Sequence, residues 1–164
     1  MSITSISIAR ICISPGHNYI GHYGKPSGSH PVVSSDSVEL VAGQGIVGDR
    51  YFGHKEDFKG QITFFDMAVS DDLAEQLGQT VDPESTRRNV LLRGIDLNTL
   101  VGKTFVVQGI RFQGVEECRP CFWMDEAIGG GAEDLLKGRG GLRARILTDG
   151  TLQSGDTQLK VLEE

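Results

Sequence analysis

The run from Thr104 to Glu117 most narrows what this chain can fold into. Apolar and polar residues alternate on both sides of Gln108-Gly109, and a period of two sends alternate side chains to opposite faces of a strand. Thr104–Gln108 and Ile110–Gln113 are therefore expected to pair as a hairpin around that glycine. Similar short runs recur. Ile3, Ile6, Ile8, Ile11 and Ile13 make a β-rich opening whose period slips at Ala9-Arg10, as a bulge or bend requires. Val38–Val41, Gln61–Phe65, the segment entered through Thr86-Arg87-Arg88-Asn89, Leu142–Leu147 and Thr157–Leu162 read as further strands. Asp149-Gly150 reads as a two-residue hairpin turn into Thr151–Gln153.

Helical spacing is confined to short pieces. Met67, Val69, Leu73, Ala74 and Leu77 share a face within Asp66–Leu77, and Gly78 is a natural stop. Asp96–Leu100 reads as a single turn, and Ala132–Lys137 as a short helix. Twenty-two glycines in 164 residues favour tight turns over long helices. The expected fold class is mainly β with a few short helices, arranged as a closed or nearly closed β-barrel. A single domain spans 1–164, without internal repeat or linker. Residues 14–36 read as a long loop carrying His17, His22 and His30. Their spacing matches no compact metal-ligand pattern, so they read as solvated loop histidines.

A net charge of −6 argues against general nucleic-acid binding, which draws on Lys and Arg to meet phosphates. No apolar run approaches the length of a membrane helix, and the first residues lack a basic leader with an apolar core. Three cysteines without an export signal fit reduced thiols and a cytoplasmic protein. Ten of the sixteen basic residues are arginines, and eight of these are gathered at Arg50, Arg87-Arg88, Arg93, Arg119 and Arg139 to Arg145. Arginine grips phosphate and carboxylate with a planar fork, so local clusters in an acidic chain suggest a small anionic ligand. Surface pairing with the 22 acidic residues is the plainer alternative.

The cysteines narrow the chemistry. Cys118-Arg-Pro-Cys121 is one CxxC pair, followed by the only tryptophan, Trp123. A structural zinc site needs a second pair, which Cys12 alone does not supply. A thioredoxin-type pair opens a long helix within βαβ units, whereas this one comes late among antiparallel signals. An activated thiol remains, with Arg119 beside it and further arginines to be brought in, alongside the reading of an inert buried pair. The glycine-rich stretch Gly43–Gly53 lacks the Gly-Lys-Ser/Thr ending of a phosphate loop and is equally a structural turn.

Four stretches together resemble the MOSC domain, named for the C-terminal domain of molybdenum cofactor sulfurase. They are Gly45-Ile-Val-Gly-Asp-Arg50, Arg87-Arg-Asn-Val-Leu-Leu-Arg-Gly-Ile-Asp-Leu-Asn-Thr-Leu-Val-Gly102, Cys118-Arg-Pro-Cys121, and Gly141-Leu-Arg-Ala-Arg145 with Gly155-Asp156. They run in family order from about residue 38 to the end. The resemblance implies a compact barrel of the pyruvate-kinase-barrel-like kind that binds the molybdenum cofactor (molybdopterin) or exchanges sulfur with it. It implies that Cys121 ligates molybdenum or carries sulfane sulfur as a persulfide. It also implies that Arg50, Arg87, Arg88 and either Arg143 or Arg145 surround the pterin phosphate, with Asn89 adding an amide.

The likeness has departures. Tyr51 stands where family members often carry histidine, with His54 three residues on, and Cys118 is a second thiol that many members lack. There is no aminotransferase-like region, so no pyridoxal phosphate site is expected. The expected partners are a molybdopterin-type ligand and a sulfur donor, an acceptor or an electron-transfer protein, with neither nucleic acid nor membrane. Two rival functions follow: a molybdenum-dependent reductase of N-hydroxylated compounds served by an electron-transfer partner, and a non-enzymatic small-anion binding module.

Overall fold

The computed structural model describes residues 2–16, 31–121 and 123–162. Eleven strands and three short helices follow in chain order: β1 (Ser2–Ile13), β2 (Val33–Ser35), β3 (Ser37–Val41), β4 (Gly45–Ile46), β5 (Ile62–Asp66), α1 (Met67–Leu77), β6 (Val90–Arg93), β7 (Thr104–Val107), β8 (Ile110–Glu117), α2 (Trp123–Ala127), α3 (Ala132–Leu136), β9 (Leu142–Ile146), β10 (Gly150–Gln153) and β11 (Gly155–Val161). Single 3-10 turns at Pro83–Thr86 and Leu97–Leu100 precede β6 and β7.

The strands close a barrel. Seven of them hydrogen-bond in the order β11-β7-β8-β9-β5-β6-β1, and β1 returns to β11 from Ser2↔Val161 to Ile8↔Gly155. Closure removes the open sheet edges that would otherwise invite pairing with other chains. Neighbours are antiparallel except β5 and β6, which run parallel. The expected slip in β1 is present as a register shift between Ile8 and Arg10. It lets Ile6 and Ile8 on one side of the shift and Ile11 on the other all reach the interior.

The barrel is filled by Phe64, Phe105 and Phe112, whose ring centroids lie 5.4–5.7 Å apart, packed among Ile and Leu side chains. A second apolar cluster lies outside the wall, where α1, α2 and α3 cover Phe65, Leu91 and Cys12. β5 and β6 are thus buried on both faces, which explains their nearly continuous apolar sequences. The expected stop of α1 at Gly78 is realised, and the helix is capped at its start as well. Asp66 Oδ1 accepts from the Ala68 N–H at 3.0 Å, and Gly78 ends the helix at φ 66°.

Two expectations are corrected. Asp149-Gly150 does not turn a hairpin, because β10 pairs with β3 and not with β9. Asp149 Oδ1 accepts from Ala42 N–H at 2.7 Å, and this fastens the chain as it crosses to the small β10-β3-β4 sheet. Val33–Ser35, placed in the long loop, is a strand paired with Ile11–Ile13. The segment after the cysteines forms the helix α2. His17, His22 and His30 lie outside the described residues. No helix among the described residues is long and apolar enough to cross a membrane.

Candidate functional site

The arginines dispersed in sequence meet at one cavity of about 500 Å3. Arg50, Arg87, Arg88, Arg119 and Arg143 all line it, with Thr63 and Asn89 in one wall and Cys118 in another.

The first wall is the entry to β6. Arg87 closes the 3-10 turn in a left-handed conformation (φ 58°), unusual for a residue with a side chain. Its Nη2 donates to Ser14 Oγ and to the Gly16 carbonyl, the latter at 2.8 Å. Ser14 N–H donates to Asp49 Oδ1 at 3.0 Å, and Arg50 N–H donates to the Ser14 carbonyl at 2.8 Å. Arg50 also pairs with Asp49 at 3.3 Å and lies over the Tyr51 ring, 4.7 Å from its centroid. Asn89 is committed internally. Its Oδ1 accepts from Thr63 N–H and Oγ1–H at 2.9 and 3.0 Å, and its Nδ2 donates to the Cys12 carbonyl at 3.0 Å. The amide assigned to a ligand therefore ties β5 to β1.

The second wall carries the cysteines. Arg88 spreads over carbonyl groups: Nε to Gly140 at 2.9 Å, Nη2 to Cys118 at 3.2 Å and Nη1 to Thr86 at 3.2 Å. Cys118 N–H donates to the Gly141 carbonyl at 2.7 Å, so the Cys118 backbone is held from both sides. Gly140 makes this approach feasible, since a Cβ there would strike the Cys118 carbonyl oxygen and lie 3.0 Å from Pro120 Cδ. Arg119 is exposed, with no hydrogen bond or ion pair among the described residues.

The third wall joins β9 to the loop after β4. Arg143 lies 5.2 Å from the Phe58 ring centroid and pairs with Glu116 at 3.2 Å. A Cβ at Gly60 would come within 2.9 Å of Arg143 Nε, so glycine there leaves room for the guanidinium.

The predicted residues thus divide. Arg50, Arg87, Arg88, Asn89 and Arg143 come together. Arg145 does not join them. Its Nη2 donates to Asp57 Oδ2 at 3.3 Å, and its Nε makes a 2.9 Å ionic contact with Asp57 without hydrogen-bond geometry. It braces the loop from outside. Cys118 lines the cavity, whereas Cys121 is half-buried three residues on and is not among the lining residues. Cys121 presents its carbonyl to Met124 N–H at 2.9 Å, at the start of α2. Sequence reasoning missed Phe58, Gly60, Glu116 and Glu117 as wall residues. Only the Glu-Glu-Cys adjacency offered a signal.

A family model for the MOSC domain matches residues 33–158, a span that contains every residue named in these three walls except Ser14, Gly16 and Cys12. The chain belongs to the MOSC domain family. Solved MOSC-like folds extend the likeness at low identity. The YuaD protein of Bacillus subtilis superposes with a TM-score of 0.77 at 18% identity, covering 99% of each chain. YiiM of Geobacillus stearothermophilus gives 0.67 at 15% identity over 96% of this chain and 75% of its own. YiiM of Escherichia coli gives 0.63 at 14% identity over 100% and 71%. No curated protein matches the sequence. At such identities the superpositions bear on the MOSC fold alone. Among the described residues no three His, Cys, Asp or Glu side chains cluster as a metal site.

Proposed function

We propose that this MOSC-domain chain binds the molybdenum cofactor, with the arginine cavity holding its phosphate end and a thiol of the Cys118–Cys121 segment meeting its metal or carrying sulfur for it. The observation that carries the reading is the convergence of five arginines from four separate stretches on a cavity with a cysteine in its wall. The residues suit such a ligand. Arg88 and Arg119 form no carboxylate ion pair among the described residues, and forked guanidinium donors match phosphate oxygens. The thiol is a soft donor of the kind molybdenum and sulfane sulfur both accept. When bound, the cofactor would supply oxygen- or sulfur-transfer redox chemistry at its metal. The protein's part is to grip the anion, exclude solvent from the wall and present sulfur.

The likeness to the family gives the sulfur role to Cys121, while the cavity wall holds Cys118. Separate Cys118→Ser and Cys121→Ser variants distinguish them. Protein prepared anaerobically with cofactor supplied is assayed for molybdenum, for pterin fluorescence and for cyanide-labile sulfur. Loss of metal or sulfane sulfur in one variant names the working thiol. A protein with neither metal, pterin nor labile sulfur would defeat the proposal. Cofactor binding that survives both substitutions would leave an anion-binding module with idle thiols.

A further inference from the structure

The arginine cavity contains anions of its own. Glu116 and Glu117 both line it, but they are used differently. Glu117 Oε2 accepts from the Gly140 N–H at 3.2 Å, whereas Glu116 Oε1 lies 3.2 Å from Arg143 Nη1. The backbone builds this second pairing. β8 and β9 run in simple register from Phe112↔Ile146 to Gly114↔Ala144, then slip, so that Glu116 stands opposite Arg143. Without the slip Val115 would face Arg143 and Glu116 would face Leu142. A bulge re-aims the side chains beyond it, and this one turns a carboxylate onto a cavity arginine. Arg143 is itself placed beside the Phe58 ring and in the space left at Gly60. Both partners still reach solvent, at 32% and 40% side-chain exposure, so the pair can exchange.

We infer that Glu116 is a resident counter-ion that sets the affinity of the cavity, occupying Arg143 until an anionic ligand displaces it. The inference rests on the anion-binding reading above and goes beyond it, because it assigns a wall acid the role of competitor. A ligand phosphate must replace the carboxylate at Arg143. An exposed pair of this kind holds with a bias of roughly two- to fivefold.

The test is calorimetric titration of the full chain with inorganic pyrophosphate at low ionic strength. Glu116→Gln keeps the size of the side chain and removes its charge, and it should bind pyrophosphate roughly two- to fivefold more tightly than the parent. The same change in an Arg143→Gln background should give no gain, since the arginine it would release is gone. Arg143→Met, which keeps the apolar stem over Phe58, completes the cycle if Arg143→Gln does not fold. Parent binding with no gain in Glu116→Gln, or a gain that persists without Arg143, overturns the role of Glu116 and leaves the anion site standing. Failure of every form to bind pyrophosphate removes the anion site and the inference with it.

Discussion

At the scale of single residues, the three cysteines occupy different environments and should behave differently. Cys12 is buried on β1, and its Sγ–H points to Glu84 Oε1 at 3.6 Å, while Glu84 also holds Arg10 at 2.9 Å. Burial, then the Glu84 charge and this hydrogen bond, push the thiol from an ordinary 9.0 to about 12. The folded protein keeps that proton to higher pH than the unfolded chain does. The contribution is therefore complete below about pH 9 and is lost as pH rises towards about 12. Urea melts across this range should show a steeper alkaline loss for the parent than for Cys12→Ala, and equal slopes would refute the assignment. Iodoacetamide at neutral pH, read by peptide mass spectrometry, should label the half-buried Cys121 well before Cys12. Arg88 offers a test of another kind, because its three bonds go to backbone carbonyls. Arg88→Ala strands the carbonyls of Gly140 and Cys118 and should cost about 2 kcal/mol in chemical melts.

At the scale of elements, the cysteine segment is held where β8 ends and β9 begins, and Gly140 is the contact point. Gly140→Ala drives a methyl group at the Cys118 carbonyl, which Arg88 holds while the Gly141 carbonyl holds the Cys118 N–H. It should destabilise by about 1–3 kcal/mol and weaken pyrophosphate binding through displacement of Cys118 and Arg119. Gly130→Ala, with nothing within 4 Å of its Cβ, is the matched control and should be nearly silent in both assays. Local signals in the sequence were sufficient where local physics decides. Asp66 and Gly78 bracket α1, Gln108-Gly109 turns β7 into β8, and the slip at Ala9-Arg10 reappears as a shift in register. They failed where a distant partner decides. Asp149-Gly150 has the composition of a hairpin turn, yet Ala42 and β3 claim it. Gathering Arg87, Arg88 and Arg143 was foreseeable from the family motifs. The role of Glu116 was not, because a single unpaired residue in β8 determines which way it faces.

At the scale of the whole molecule, the barrel exists only once the first and last strands meet. β1 and β11 share seven register pairs, the most extensive pairing in the sheet, and the interior aromatic trio is enclosed by that closure. Phe112→Ala, which opens a void against Phe64 and Phe105, should therefore cost about 3–5 kcal/mol and lower the cooperativity of unfolding. Closure also sets where the chain can be reconnected. Ser2 faces Val161 across the seam, and Cα atoms paired in this way are about 5 Å apart. A short Gly/Ser linker of roughly six residues spans that distance without strain. New ends can be opened after Thr80, beyond the Gly78 cap of α1, where the chain is exposed and belongs to no strand. The cut leaves every barrel pairing and every cavity wall intact, so the permuted protein should fold cooperatively and bind pyrophosphate within about twofold of the parent. Opening the chain instead after Thr63, inside β5, separates Phe64 from the Asn89-bonded Thr63 and should abolish both. Equal behaviour of the two permutants would show that an unbroken β5 is not what holds the site together.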